Sequence, residues 1–149
     1  LSLIHVPLGP SNVHLILNGI VGMMLGWSAF PAIFVALVLQ AVMFQYGGIT
    51  TLGVNTLLMA LPAVICFYLF KPLLHRKSAL AMTAAFAGGM VPVFLSALMM
   101  ALFLFLTGAH FLEVAVLVVA AHVPIMVIEG LVTLFCIAFL RQVQPSLLQ

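Results

Sequence analysis

Five histidines are the side chains of this sequence best suited to bind a metal ion. Two of them, His5 and His14, enclose the segment HVPLGPSNVH, whose Pro7, Gly9 and Pro10 predict a rigid turn. A neutral imidazole is the commonest side-chain ligand for nickel, cobalt, copper and zinc ions. Metal binding, with the turn directing His14, is one hypothesis for this pair. The other is a hydrogen bond from each histidine to a loop carbonyl, and the residues alone leave both open.

A second polar pair, His122 and Glu129, lies in the apolar segment HVPIMVIEG. Their spacing along the chain puts both on one face of a helix. An ionisable group inside a membrane helix is costly and needs a partner in the bundle interior. We therefore predict a buried hydrogen-bonded network of His122, Glu129, Gln40 and Asn18, in preference to ion coordination by these residues.

Motifs of catalytic chemistry are missing from the sequence, which contains only two acidic residues. It has no zinc-protease motif, no nucleophilic triad and no glycine-rich phosphate-binding loop. Any ATP hydrolysis would therefore need another chain. An intramembrane enzyme or assembly factor that uses His122 and Glu129 is an alternative to a metal-capture protein. A purely structural membrane subunit is a third reading.

The elements that position these side chains follow from the composition. Of 149 residues, 66% are hydrophobic and 4% are charged, whereas about 25% of the residues in a soluble domain are charged. Six charged side chains cannot cover the surface of a soluble fold, so residues 1–149 are predicted to form one integral membrane domain. The four basic residues are too few to indicate a nucleic-acid partner, and the lipid bilayer is the surrounding medium.

Glycines, prolines and charges divide this chain into about five apolar stretches, and a helix needs roughly 20 apolar residues to cross a bilayer. The predicted fold is therefore all-α, with about five transmembrane helices. The first is short, so we expect it to be tilted or to start below the membrane surface. Their predicted bounds are 12–26, 30–46, 55–70, 79–106 and 111–140.

Basic residues indicate the orientation, because Lys and Arg are enriched in cytoplasmic loops. A basic cluster at 71–77 lies between the third and fourth predicted helices, and Arg141 follows the fifth. Two spans separate these positions, so both are predicted to be cytoplasmic. The segment 5–14, the loop 47–54 and His110 then lie on the external face, where we expect the metal site.

The segment GGITTLGVN, residues 47–55, is predicted to be a re-entrant loop packed over that site. Its apolar residues argue against the alternative of an exposed hairpin loop. Non-helical backbone at membrane depth is tolerated only where protein or a water-filled cavity surrounds it. The residues predicted to line the site are Gly47, Gly48, Thr50, Thr51, Gly53 and Asn55.

Three blocks of this sequence resemble the CbiM/NikM family. They are HVPLGPSNVHLILNG, LQAVMFQYGGITTLGVN and HVPIMVIEGLVT, and they span nearly the whole chain in the order and spacing of the family. The resemblance implies the non-catalytic, substrate-binding membrane component of an energy-coupling-factor (ECF) type ABC transporter for cobalt or nickel. It also implies the inner membrane of a prokaryote, with uptake serving cobalamin biosynthesis or nickel enzymes.

The resemblance implies roles for individual residues and partners as well. His14 matches the family's histidine ligand for Co²⁺ or Ni²⁺, the transported substrate, and His5 is a weaker candidate that supports the site or binds directly. No organic cofactor is implied. The partners implied are a CbiQ/NikQ-like transmembrane coupling subunit, CbiO/NikO-like cytoplasmic ATPase subunits and a small CbiN/NikN-like accessory subunit.

The sequence departs from the family pattern at its start. It begins at LSLIHVP, where the family's second helix would end, without the Met-His start that supplies the family's other main ligands. A full-length member would have about seven spans of the usual length. We therefore expect residues 1–149 to hold only part of the ligand set.

Overall fold

The computed structural model describes residues 5–8, 11–14, 17–44, 48–76, 78–108 and 112–144. The first two ranges are a short antiparallel ribbon of strands β1 (His5–Leu8) and β2 (Ser11–His14). The sequence pattern did not predict these strands, and the first helix was predicted to begin six residues before its observed start at Asn18. The error arose because residues 12–17 are apolar enough to extend a helical pattern.

The remaining described chain is mainly helical, as predicted for a multi-pass membrane protein. Four stretches are long and apolar enough to cross a bilayer, namely Asn18–Met43, Leu52–Leu74, Ala79–Thr107 and Leu112–Val143. The predicted count of five spans is therefore not confirmed. The helices are α1 (Asn18–Leu25), α2 (Ala29–Phe44), α3 (Leu52–Leu74), α4 (Ser78–Thr107) and α5 (Leu112–Val143), with a 3-10 turn, Gly26–Ser28, joining α1 to α2.

The first helix, α1, runs parallel to α3. A Cβ atom added to Gly22 would overlap the backbone of Ala63, and one added to Gly26 would lie 3.0 Å from the ring of Phe67. The step from Gly22 to Gly26 thus matches the step from Ala63 to Phe67, so the two chain segments run in the same direction. The helix ends at Leu25 and is followed by Gly26, whose φ of 53° and ψ of −124° are readily adopted only by glycine.

The second helix, α2, runs back along α3. Its buried residues Ala29 and Ile33 share a cluster with Ala60 and Ala63, which precede the level that α1 has reached at Phe67. The chain therefore reverses at the 3-10 turn. With 8 residues, α1 is about 12 Å long, which is too short to cross a bilayer. This short helix is the physical reason why one predicted span is missing.

Glycines bring α1, α4 and α5 into backbone contact. A Cβ atom on Gly19 of α1 would overlap the backbone of Gly88 and Gly89 on α4, and one on Gly89 would lie 2.6 Å from the carbonyl oxygen of Glu129 on α5. Small residues allow this close approach in membrane helices. The three helices therefore pack backbone against backbone next to Glu129.

A proline and a serine connect α3 to α4. Pro62 lies inside α3 and has no backbone N–H, so the carbonyl of Leu58 loses its helical donor. The hydroxyl of Ser96 on α4 donates to that carbonyl oxygen at 2.7 Å. The side chain of one helix thus satisfies the group that the proline leaves open in the other.

Basic side chains collect at one end of the bundle. The Nη2 group of Arg141 donates to the carbonyl oxygen of Arg76 at 3.5 Å, and the ammonium of Lys71 lies 4.9 Å from the ring centroid of Phe67. The ends of α3 and α5 therefore meet. By the positive-inside rule this is the end predicted to be cytoplasmic, and Thr51 lies at the opposite end of α3.

Aromatic side chains mark the same end. The indole Nε1 of Trp27, in the 3-10 turn, donates to the hydroxyl of Tyr68 at 2.8 Å, and its ring stacks on Phe30. Trp and Tyr are enriched where a membrane meets water. The turn between α1 and α2 therefore lies at the basic end of the bundle, and α1 leads from there toward the bundle centre.

Candidate metal site and the buried carboxylate

The two N-terminal histidines occupy opposite positions in the ribbon. Strands β1 and β2 pair with His5 opposite His14 and Leu8 opposite Ser11. The Cα atoms of directly opposite residues in an antiparallel ladder are about 4.5–5.5 Å apart. The backbone therefore brings together the two residues predicted to hold the metal, while their side chains lie outside the described part of the structure.

A hydrogen bond ties the chain after β2 to the core of the bundle. Strand β2 ends at His14, and the backbone N–H of Leu17 donates to Oε1 of Glu129 at 2.9 Å. Three residues of extended chain reach at most about 11 Å. The backbone of His14 therefore lies within that distance of a residue bonded to the buried carboxylate.

Glu129 is almost fully buried, with 1% of its surface exposed. Its Oε1 meets the first turn of α1, where unpaired N–H groups and the helix dipole favour a negative charge. Next to this turn, Asn18 is 3% exposed. The Oδ1 atom of Asn18 and the Oγ1 atom of Thr133 have no hydrogen-bond partner among the described residues. The junction of α1, α4 and α5 is thus polar.

Leu17 has a backbone conformation that the sequence did not indicate. Its φ of 58° and ψ of 33° are left-handed, and it is the only non-glycine residue with positive φ in the described ranges. This conformation costs a residue with a side chain about 1–2 kcal/mol. Sequence reasoning missed Leu17 because its contribution is a backbone N–H, which no residue type signals.

His122 and Gln40 have other surroundings. The Nδ1 atom of His122 lies 2.7 Å from the carbonyl oxygen of Val118, one turn earlier in α5. A carbonyl oxygen only accepts, so Nδ1 carries the hydrogen of this bond. Gln40 is half-buried on α2, which packs on α3. A hydrogen-bonded network that joins His122 and Gln40 to Glu129 and Asn18 stays a prediction.

The glycine-rich segment begins α3 earlier than predicted. Helix α3 starts at Leu52, three residues before the predicted start at Asn55, so Gly53 is helical rather than part of a loop. The hydroxyl of Thr51 donates to the carbonyl of Gly48 at 3.2 Å, and Nδ2 of Asn55 donates to Thr51 Oγ1 at 3.3 Å. These polar side chains thus stabilise the turn that starts the helix.

The described part of this segment, from Gly48 onward, lies on the surface. Ile49 is 71% exposed, Thr50 is also exposed, and a Cβ atom on Gly53 would meet nothing within 4 Å. Gly47 lies outside the described residues. The re-entrant packing of this loop over the histidines therefore stays a prediction.

Metal-binding groups of three or more His, Cys, Asp or Glu side chains do not occur within the ranges that the structure describes. His110 lies outside those ranges, and His75 is exposed beside the cytoplasmic end of α3. The ladder register brings the backbones of the two ribbon histidines together, and their role as a metal site stays a prediction.

Comparison with known proteins decides which family this architecture represents. A family model described as "Cobalt uptake substrate-specific transmembrane region" matches residues 1–147. The chain belongs to the CbiM family. The resemblance seen in three sequence blocks is thereby confirmed over almost the whole chain. Membership in a family of transport components also favours transport over the intramembrane-enzyme alternative.

Relatives of this CbiM-family chain are named for metal transport. One from Haemophilus influenzae, provisionally named a metal transport protein, is 36% identical over 97% of this chain and 72% of its own length. The cobalt transport protein CbiM of Sorangium cellulosum is 29% identical over 97% of this chain and 68% of its own length. The fused nickel transport protein NikMN of Rhodobacter capsulatus is 49% identical over 35% of this chain and 15% of its own length. No solved structure matches the chain significantly.

Proposed function

We propose that this chain is the metal-capture component of an ECF-type ABC importer for Co²⁺ or Ni²⁺ in a prokaryotic inner membrane. The CbiM family is described by cobalt uptake, and relatives are named for cobalt and for nickel transport. Imidazole nitrogen is a suitable ligand for both ions, which is why the proposal includes both.

The observation that carries this proposal is the pairing of His5 with His14 on a ribbon held close to the bundle. The register places the two residues opposite each other, and the bond between Leu17 and Glu129 limits how far His14 can lie from the core. His14 is the direct ligand in this proposal. His5 orients it or contributes a second nitrogen.

The external end of the bundle provides access for the ion. Helices α2 to α5 cross the membrane, and α1 is a fifth helix that enters only the cytoplasmic half. Helix α1 begins near the bundle centre, and this proposal puts the ribbon on the external side of that point. In this proposal the glycine-rich loop before α3 lines the site, and its described candidates are Gly48, Thr50 and Thr51.

Energy for uptake comes from other chains in this proposal. The sequence holds no phosphate-binding loop, so CbiO/NikO-like ATPase subunits hydrolyse ATP in the cytoplasm. A CbiQ/NikQ-like coupling subunit connects them to this chain, and a CbiN/NikN-like accessory subunit completes the importer.

Metal accumulation in cells tests the proposal. Cells producing the full-length protein with its three kinds of partner should accumulate Co²⁺ or Ni²⁺ from the medium. Accumulation should fall to background with His14→Ala or with an ATPase subunit that cannot hydrolyse ATP. His75→Ala is the matched control, because His75 is exposed at the opposite end, and it should transport like the parent. Undiminished uptake by His14→Ala would contradict the proposal.

A further inference from the structure

We propose that Glu129 is a positioning residue for metal capture, because its carboxylate holds the start of α1 and thereby the His14 end of the ribbon. This inference rests on the proposed function. It assigns a role to a buried acidic side chain that acts through the backbone of Leu17 and does not need to touch the ion.

The contact between Glu129 and Leu17 joins distant parts of the chain. The Oε1 atom of Glu129 accepts the backbone N–H of Leu17 at 2.9 Å, across 112 residues of sequence. Leu17 is the residue that precedes α1, and its left-handed backbone gives the chain a sharp change of direction there. The carboxylate therefore binds the chain at the point where the ribbon segment joins the helix.

The helices around Glu129 are packed closely through their glycines. Gly19 packs on the backbone of Gly88 and Gly89, and Gly89 packs on the backbone of α5 at Glu129 and Gly130. Contacts between backbones leave little room for a helix to shift. The position of the carboxylate, and with it that of Leu17, is therefore fixed by three helices together.

A short connection joins Leu17 to His14. Only two residues separate His14 from Leu17, so the position of Leu17 limits where His14 can lie. Small errors in ligand position weaken metal binding strongly, and groups that orient ligands typically contribute 10–100-fold to affinity. Loss of the bond from Leu17 to Glu129 should therefore reduce affinity without removing a ligand.

Matched variants of the full-length protein test this inference. Glu129→Gln keeps an oxygen acceptor for the Leu17 N–H, whereas Glu129→Leu removes it. Glu113→Leu is the control, because Glu113 is the only other acidic residue in the sequence and is exposed in the first turn of α5. Calorimetric titration with Ni²⁺ or Co²⁺ should show binding weakened at least about 10-fold in Glu129→Leu, and nearly unchanged in Glu129→Gln and Glu113→Leu.

A backbone variant keeps the test decisive if Glu129→Leu does not fold. Replacing Leu17 by its α-hydroxy acid changes the amide to an ester, which removes the N–H donor and retains every side chain. Binding should weaken by a similar factor, and the visible absorption spectrum of bound Co²⁺ should change with the ligand geometry. A purely structural cap would lower the unfolding temperature without altering that spectrum.

Two results would overturn the inference. Parent-like affinity and an unchanged Co²⁺ spectrum in the ester variant would show that the bond does not position the site. Equal loss of binding in folded Glu129→Gln and Glu129→Leu would show that the charge acts on the ion directly. A parent protein that binds neither ion would overturn the proposed function as well, so the two failures are distinguishable.

Discussion

Leu17 is the residue at which the histidine ribbon, the short helix α1 and the buried carboxylate meet. Its left-handed backbone is unfavourable for leucine, and a strained residue persists only where its surroundings determine its conformation. Here the surroundings are the bond to Glu129 and the glycine contacts between α1 and α4. The strain is therefore evidence that the position of this backbone matters.

Substitutions at Leu17 test the backbone conformation separately from the side chain. Leu17→Gly should stay within about 1 kcal/mol of the parent in free energy of unfolding, because relief of roughly 1–2 kcal/mol of strain offsets the lost leucine contacts. Leu17→Val should be less stable than both, since a β-branched residue is disfavoured at positive φ. Thermal unfolding in detergent measures the order. Equal stability of the valine and glycine variants would contradict a left-handed backbone at this position.

A second residue-scale prediction concerns Ser96. Ser96→Ala leaves the carbonyl of Leu58 without a donor and should destabilise the protein by about 1–3 kcal/mol. In a Pro62→Ala background, residue 62 regains the N–H that pairs with Leu58, so the same substitution should cost much less. Thr107→Ala is the control, because that exposed hydroxyl bonds only within its own helix turn. Equal costs of Ser96→Ala in both backgrounds would refute the pairing.

At the scale of elements, glycine contacts rather than large side chains set the packing around the carboxylate. Helix α1 has only 8 residues, and its glycines bring it against the backbones of α3 and α4. Lipid gives helices no hydrophobic reason to associate, and close packing of small residues supplies the attraction instead.

Added methyl groups should therefore have opposite effects at two glycines. Gly89→Ala places a Cβ atom 2.6 Å from the carbonyl oxygen of Glu129 and should destabilise the protein by about 1–3 kcal/mol through overpacking. Gly53→Ala is the control in open space and should be neutral or stabilise α3, because alanine favours a helix by about 1 kcal/mol over glycine. Denaturation in mixed micelles compares the two. A harmless Gly89→Ala would contradict the close approach of α4 and α5.

At the scale of the whole molecule, the sequence predicted the long helices well. It did not predict the ribbon or the start of α1. The predicted helices 79–106 and 111–140 agree with α4 and α5 to within three residues at either end, because long apolar runs determine them. The ribbon escaped prediction because strands of four residues carry almost no periodic signal. The bond from Leu17 to Glu129 escaped because its partners are distant in sequence and one is a backbone group.

The orientation of the molecule is testable by labelling from each side. In protein whose Cys66 and Cys136 are replaced by alanine, Thr51→Cys should react with an impermeant thiol reagent added outside the cell. Arg76→Cys should react only after the cytoplasmic face is opened, because the basic end is cytoplasmic by the positive-inside rule. Both positions are exposed, so accessibility does not bias the comparison. The reverse labelling pattern would put the ribbon on the wrong side for uptake.

The measurement that tests the central claim most directly is a calorimetric titration of the full-length protein and His14→Ala with Ni²⁺ and Co²⁺. Loss of a direct ligand should remove most of the binding of the ion, whereas His5→Ala should weaken it by about 10–100-fold if His5 orients the site. His75→Ala should bind like the parent, and all variants should unfold at similar temperatures. Parent-like affinity of a folded His14→Ala protein would contradict the assignment of the metal site to the ribbon.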